Sequence, residues 1–364
     1  MNKNEIFDEL FVLELANNHL GRVERGLQII HEHSRIVRFN NVRATIKLQF
    51  RDVDNFIHKD FRQRIDIRYI KKTLDTRLSR KDYGALVAAV RENGCLTSAT
   101  PFDEASVDLC HELDLDIIKL ASSDVNDWFL IEKIAALRKP VIASTGGSSL
   151  RNIDDLVKFL TRRNIPLALN HCVSIYPSED SDLELNQIDF LRNRYPHLVI
   201  GLSTHECTDW RSSAMIAYAK GARSFERHID IAKDGATISP YSSLPHQIDE
   251  WFKAVKKAQE MCGDGGTTRR VVPQKELEYL YTLVRGVYAK RALPAGHIIH
   301  HDHVLDDFYL AIPLQKSQLS CRELMNGEVL KTSVEPHQPL MIDNLDTTHS
   351  VNEALYHQIS KRGL

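Results

Sequence analysis

Eight short apolar runs, each carrying a polar residue near its C-terminal end, constrain this chain more than any other feature. They read FVLELA (11–16), TIKLQF (45–50), CLTSAT (95–100), IIKLAS (117–122), PVIAST (140–145), LALNHC (167–172), LVIGLS (198–203) and SFERHI (224–229). Runs of this length and composition suit buried strands. Segments with helical spacing lie between several of them: DEASVDLCHELD (103–114), which opens on acidic residues, SLRNIDDLVKFLTRRN (149–164) and DWRSSAMIAYAKG (209–221). Alternating strands and helices build parallel β-α units. Eight such units over about 250 residues predict an α/β fold, a closed (β/α)8 TIM barrel. An open doubly wound sheet is the structural alternative, but no G-x-G-x-x-G follows the first run, so its dinucleotide-binding form has little support.

The polar residues sharpen this reading. In chain order they are Glu14, Lys47 with Gln49, Thr100, Lys119 with Ser122, Ser144 with Thr145, His171, Thr204 with His205, and Glu226 with His228. Barrel active sites are assembled from several strands at that end. Lys47 and Lys119 aimed at one cavity imply an anionic ligand; a structural Lys–Glu pair inside the barrel is the alternative. The segment Ser144-Thr145-Gly146-Gly147-Ser148-Ser149 joins a strand to a helix start, a combination of hydroxyls and free amides that suits phosphate or carboxylate. His205 and His228 end neighbouring strands and suit a divalent first-row metal such as manganese, zinc or iron. A His-x-His on the first strand would mark an amidohydrolase-type site, and this chain has Glu14 there. Within SFERHI, Glu226 and His228 share a face by alternation. Glu226 lies one step deeper, suited to orienting the metal site or balancing a lysine, and Arg227 points to the helix layer.

Beyond the barrel, assigned to residues 1–262, the glycine-rich GDGGTTRR opens a linker (263–283). A small, mostly β domain follows over 284–346, and the tail 347–364 is either a short helix or frayed. The net charge of −2 gives no reason to expect nucleic acid or an anionic membrane as partner. Six cysteines are scattered without C-x-x-C spacing, no apolar run approaches membrane-spanning length, and MNKNEIFDELFVLELANN has no secretory-signal pattern. A reducing, cytoplasmic location is the expectation.

Taken in order, the motifs resemble those of the sialic acid synthases and related nonulosonic acid synthases. The resemblance is carried by E-L-A-N-N-H-L-G (14–21), K-L-Q (47–49), T-P-F (100–102), K-L-A-S-S-D (119–124), S-T-G-G (144–147), H-C-V-S-I-Y-P (171–177), G-L-S-T-H (201–205) and E-R-H (226–228). V-R-G-V-Y-A-K-R-A-L-P-A-G (284–296) resembles the family's antifreeze-like (SAF) domain. The resemblance implies condensation of phosphoenolpyruvate with the open-chain aldehyde of an N-acylated sugar, with release of phosphate. Carried over motif by motif, Glu14 would be the acid/base group, with Lys47, Lys119 and Glu226 beside the chemistry. Gln49, Thr100, Ser122, Asp124, Ser144 and Ser174 would contact phosphoenolpyruvate or the sugar, and Phe102 and Tyr176 would line the sugar channel. His205 and His228 would bind the metal, Mn2+ in most of the family with Mg2+ or Co2+ as other candidates. A domain-swapped homodimer is implied as well.

Three positions depart from the family pattern. Ser174 stands where the family commonly has Asn, and D-G-A-T-I-S (234–239) offers Thr237 or Asp234 where an acidic residue is usual. L-A-I-P-L (310–314) carries no arginine where an R-P-G loop is expected. These departures fall on the sugar side and keep two other readings open. One is a different 3-deoxy-sugar-acid synthase using a phosphorylated aldose, for which Arg51, Arg62 and Arg64 are the candidate second-phosphate residues. The other is a non-catalytic carbohydrate-binding homologue.

Overall fold

The computed structural model describes residues 4–364 apart from 234, 264–267, 325–326 and 347–351; Asp234, weighed above as a substitute acid, lies outside the described residues. The eight runs form eight parallel strands: β1 (Leu10–Ala16), β2 (Ala44–Phe50), β3 (Leu96–Pro101), β4 (Ile117–Leu120), β5 (Val141–Ser144), β6 (Leu167–Cys172), β7 (Val199–Thr204) and β8 (Ser224–His228). They pair in sequence order, and β8 pairs back onto β1 to close the barrel. The (β/α)8 expectation therefore holds. Three runs extend past their strands, SFERHI by Ile229 alone. Ser122 falls in a short 3-10 turn (Ser122–Asp124) after β4, and Thr145 in the turn after β5.

The helices are α1 (Val23–Asn40), α2 (Val53–Phe56), α3 (Arg68–Asp75), α4 (Arg80–Glu92), α5 (Glu104–Glu112), α6 (Trp128–Ala136), α7 (Leu150–Arg162), α8 (Asn186–Arg194), α9 (Trp210–Ala219) and α10 (Pro245–Cys262). Local chemistry sets several of their starts. Ser79 and Asp82 form a reciprocal capping box on α4, while Asp103, Ser149 and Asp209 each accept backbone N–H bonds at the starts of α5, α7 and α9.

Inside the barrel the side chains are layered. Phe7, Leu10, Val12, Ile117, Ile142 and Ala168 form an apolar plug at the N-terminal end of the strands. Above it, Thr45 Oγ1 donates to Ser98 Oγ at 2.8 Å, and Asn170 and Ser224 are fully buried. The charged side chains lie at the opposite, C-terminal end. The larger core, with Leu13, Ile46, Leu48, Phe225 and Phe252, fills the space between strands and helices.

The chain divides into two compact units, Met1–Gly263 and Asp264–Leu364. In the second unit, α11 (Gln274–Tyr281) falls inside the stretch 263–283 that the sequence assigned to a linker; QKELEYLY consists largely of good helix formers behind Pro273, which disfavours a helical conformation before it. Two antiparallel pairs follow, β9 (Gly286–Ala289) with β10 (Phe308–Ala311), and β11 (Val329–Leu330) with β12 (Leu345–Asp346). The tail is ordered as a helix over Glu353–Ser360. It buries Ile359 in this unit's core, and Arg362 pairs with Glu323 at 2.7 Å.

Candidate active site

Strand parity decides which groups meet at the top of the barrel. A cavity of about 590 Å³ opens there, and of the residues given a site role by the resemblance all but Asp124 line it: Glu14, Lys47, Gln49, Thr100, Phe102, Lys119, Ser122, Ser144, Ser174, Tyr176, His205, Glu226 and His228; Thr145 and Thr204, picked out with them as strand-end polar residues, do not. Asp124 is the correction. It closes the 3-10 turn, whose three-residue period carries it away from the Ser122 side, and its Oδ1 accepts from Ser123 Oγ at 2.7 Å. His171 also departs from expectation. On β6 the inward positions are Asn170 and Cys172, so the His171 ring faces out and its Nε2 lies 2.7 Å from the Leu183 carbonyl.

Two carboxylates and two ammonium groups form the buried floor of the cavity. Lys47 contacts the Glu14 carboxylate, lies 3.6 Å from Glu226 Oε1, and donates to Thr100 Oγ1 at 3.3 Å. Lys119 donates to Ser144 Oγ at 2.6 Å and lies 3.8 Å from the same Glu226 oxygen. Glu226 also accepts from Ser203 and Asn170, at 3.2 and 3.4 Å. Its role is thus charge balance between the two lysines. Burial raises the Glu226 carboxyl, but Lys119 and Lys47 outweigh it and hold the group below the ordinary carboxylate range. Burial brings Lys47 down to about 8, assisted by Lys119 and opposed by Glu226. Gln49 Nε2 donates to Glu14 Oε1 at 3.1 Å.

The β4–α6 and β5–α7 turns form one wall. Gly146 N–H donates to Ser122 Oγ at 3.1 Å. A Cβ at Gly146 would stand 2.4 Å from Ser174 Oγ and 2.9 Å from Ser122 Oγ, so only glycine lets these hydroxyls close over the turn. Hydroxyls on a glycine turn beside the Lys119 ammonium make a wall whose chemistry suits an anion.

The histidines face each other at the other side, with ring centroids 5.4 Å apart. His205 follows β7 directly; with Nδ1–H donating to the Val173 carbonyl at 3.0 Å, its Nε2 is left for a ligand. Burial pushes His205 down to about 4. Burial, with the nearby charges of His205, Lys47 and Lys72, puts His228 well below its ordinary value. Both rings are therefore neutral at neutral pH, the form that ligates metal. Among the described residues no group of three or more His, Cys, Asp or Glu side chains gathers as a metal site. Two neutral imidazoles fit a divalent first-row ion whose remaining positions are filled by water or substrate oxygens.

Several further lining groups escaped the sequence, Tyr241, Tyr69, Lys72 and Asn18 among them. Tyr241, in the loop after β8, packs its ring 5.1 Å from His228 and 5.3 Å from Tyr176. Tyr69 and Lys72 reach the cavity from α3, one helical turn apart. Asn18, inside a quoted motif but read as a turn, donates to the Ile229 carbonyl at 2.8 Å and so ties the β1 and β8 loops. A tyrosine and a lysine three apart on a short helix after β2 were the available signal for α3. For Tyr241 there was none.

Two buried arginines brace the loops from outside the cavity. Arg227, 1% exposed, pairs with Glu206 at 3.3 Å and donates to Ser243 Oγ, Thr204 Oγ1 and the Glu206 carbonyl. Arg25 pairs with Asp230 at 2.6 Å and donates to the carbonyls of Asn18, Ile231 and Lys233. Of the arginines considered for a second phosphate, Arg64 pairs with Asp66 and Arg62 donates to the Asp54 carbonyl, both on the exposed surface. Arg51 is committed to neighbouring side chains, and none of the three lines the cavity.

A closed barrel with lysines, paired carboxylates and two imidazoles at the C-terminal ends of its strands defines an enzyme-type site of the anion-handling barrels. The chain belongs to the NeuB family, whose model matches residues 41–267. It is similar to a crystal structure of a putative spore coat polysaccharide biosynthesis protein E from Chromobacterium violaceum, with 38% identity and a TM-score of 0.88, covering 93% of this chain and 99% of that one. An N-acetylneuraminate-9-phosphate synthase of Drosophila melanogaster is 29% identical over 63% of this chain and 62% of its own length. An N,N'-diacetyllegionaminic acid synthase of Campylobacter jejuni is 28% identical over 61% of this chain and 66% of its own. The chain thus spans less than two thirds of the length of these two synthases.

Proposed function

We propose that this protein is a nonulosonic acid synthase that condenses phosphoenolpyruvate with the open-chain form of an N-acylated amino sugar and releases phosphate. The observation that carries the reading is the meeting, in one cavity, of the Lys119–Ser144–Ser122–Gly146 wall with Glu14 and two neutral imidazoles. In this mechanism Lys119, Thr100, Ser122 and Ser144 hold phosphoenolpyruvate, with Lys47 and Gln49 beside it. Tyr176 and Phe102 bound the acceptor. A divalent metal, manganese by family resemblance, would be held by His205 and His228 and supplies Lewis-acid polarisation of the acceptor aldehyde when bound.

C3 of the enol attacks the aldehyde carbon, forming the new C–C bond, and the aldehyde oxygen takes a proton. Water then adds at C2, and the tetrahedral centre expels phosphate by C–O cleavage. Glu14, held by Gln49 and Lys47, takes the water proton. Lys47 and Lys119 offset charge on the departing phosphate, and Glu226 keeps two ammonium groups together in a buried site. The active species is read as a cytoplasmic homodimer, with the C-terminal unit as its antifreeze-like domain. An unphosphorylated acceptor fits the lining better, because Arg51, Arg62 and Arg64 are not gathered into a second phosphate site.

The test follows phosphate release and product mass with Mn2+, phosphoenolpyruvate and three probes. These are N-acetylmannosamine, its 6-phosphate, and the diacetamido hexose left when pyruvate is removed from N,N'-diacetyllegionaminate. The reading expects release of phosphate and a product equal to acceptor plus pyruvate with at least one unphosphorylated probe. Turnover of the 6-phosphate alone would reverse the acceptor assignment. A purified protein that binds neither Mn2+ nor phosphoenolpyruvate, and in which His205→Ala changes nothing, would sink the whole reading.

A further inference from the structure

Arg51 follows β2 and is 9% exposed, yet it forms no ion pair among the described residues. A buried guanidinium without a carboxylate is costly unless its donors and its charge are otherwise used. Nε has no hydrogen-bond partner among the described residues, but both terminal nitrogens and the charge are used. Nη1 donates to Gln49 Oε1 at 3.1 Å and Nη2 to the Tyr69 hydroxyl at 2.7 Å. The guanidinium carbon lies 3.8 Å from the centroid of the Phe102 ring, with the rings of Tyr69 and Phe56 at 5.6 and 5.7 Å. Gln49, Tyr69 and Phe102 all line the cavity, whereas Arg51 does not.

The contact with Gln49 has a directional consequence. A carboxamide has one accepting and one donating end, and arginine only donates. Arg51 therefore obliges Gln49 to turn its oxygen outward and its N–H2 toward Glu14, where Nε2 meets Oε1 at 3.1 Å. The flipped amide would set donor against donor at Arg51 and oxygen against carboxylate at Glu14. The contact with Tyr69 works on the other side of the cavity. The chain between β2 and α4 makes a long excursion that carries α3, and the Arg51–Tyr69 bond fastens α3 to the end of β2. Phe102, from the β3 end, is stacked on the same guanidinium.

We propose that Arg51 is a positioning residue for both halves of the condensation: through Gln49 it fixes the donor that orients Glu14, and through Tyr69 and Phe102 it fixes the wall against which the acceptor sugar lies. The inference rests on the synthase reading above and deepens it. Lysine cannot substitute, because one ammonium cannot stack flat on Phe102 while donating in two fixed directions.

The experiment measures kcat, both KM values and phosphoenolpyruvate affinity for the wild type, Arg51→Lys, Arg51→Met, Tyr69→Phe, Gln49→Ala and the double variant Gln49→Ala/Arg51→Met. The substrates are phosphoenolpyruvate and whichever of the three acetamido sugars turns over. Loss of a group that orients a catalytic residue costs about 10–100-fold. Arg51→Lys and Arg51→Met should lose about that much kcat and raise the acceptor KM, with phosphoenolpyruvate affinity within about two-fold of wild type. Tyr69→Phe should raise the acceptor KM with a smaller change in kcat. The double variant should have a kcat little below that of Gln49→Ala alone, since both changes cut the relay to Glu14, while its acceptor KM rises as in Arg51→Met because the Tyr69 and Phe102 contacts are lost as well. Wild-type kinetics in Arg51→Lys would overturn the proposal, as would multiplicative losses of kcat in the double variant. Equal losses in both KM values together with a lowered melting temperature would overturn it too, by reducing Arg51 to a structural residue. An inactive wild type would instead remove the synthase reading, and this inference with it.

Discussion

The barrel buries two kinds of charge, and they are built differently. The arginines outside the cavity are saturated: Arg227 spends its donors on Glu206, Ser243 and Thr204, and Arg25 on Asp230 and three loop carbonyls. The lysines inside are held by residues that themselves line the cavity: Lys47 contacts Glu14 and Thr100, Lys119 bonds Ser144, and the two ammonium groups share Glu226 at 3.6 and 3.8 Å. A saturated guanidinium fixes loops in place and has nothing left for a ligand. An ammonium whose partners line the same cavity can redirect its donors and charge to something that arrives later. The difference separates residues that build the site from residues that act in it.

Breaking the first kind should have the largest effect on stability. Arg227→Met leaves the fully buried Glu206 carboxylate without its cation and should cost about 3–5 kcal/mol in a denaturant titration. Adding Glu206→Gln to the same chain should recover part of that loss. Breaking the second kind should read out in turnover instead. Lys119→Met should lower kcat/KM for phosphoenolpyruvate about 100–1,000-fold while the denaturation midpoint stays near that of the wild type. Comparable stability losses in the two variants would erase the distinction.

A pH series sharpens it further. Lys47 loses its proton near pH 8 in the folded protein, against an ordinary value of 10.5. A rate that needs the ammonium should fall on the alkaline side around pH 8, and Glu226→Gln should move that limb to lower pH by removing the carboxylate that favours the charged form. Stability should run the other way. Between about pH 8 and 10.5 the unfolded chain binds the extra proton, so this group's contribution to folding improves as pH rises through that window. Melting temperatures of wild type and Lys47→Met across the window check the sign; the improvement should be missing from the variant. The smallest expected effect is at the glycine turn. In Gly146→Ala the new methyl meets Ser174 and Ser122, and the phosphoenolpyruvate KM should rise by up to about ten-fold with kcat little changed.

What the sequence made legible follows from alternation. A polar residue inside a short apolar run is conspicuous, and two residues apart means one face, so Lys47 with Gln49 and Glu226 with His228 could be grouped before any coordinates. In LALNHC the polar His171 was picked out by its place near the strand end alone, and alternation puts it on the outer face, with Asn170 and Cys172 inward. Where the strand frame ends, the rule has nothing to say. Asp124 sits on a 3-10 period, Tyr69 and Lys72 on a helix in a loop excursion, and Tyr241 in a loop fixed only by ring packing. The tail helix was undecidable because its order comes from burying Ile359, a tertiary contact, rather than from its own propensity.

The pairing of β8 with β1 places Glu14 opposite His228, and the pairing of β1 with β2 places Glu14 opposite Lys47. One end of the chain's barrel is therefore half of a pocket whose other half is made last, as the ribosome delivers the eighth strand. A chain that stops before Ser224 lacks both His228 and the Glu226 carboxylate that lies between Lys47 and Lys119. Ligands that need both halves bind only the closed ring, and by mass action they favour closure over every open intermediate. Ligand-dependent protection from proteolysis would then report completion of the circle, making the substrate pocket a checkpoint on assembly as well as a place for chemistry.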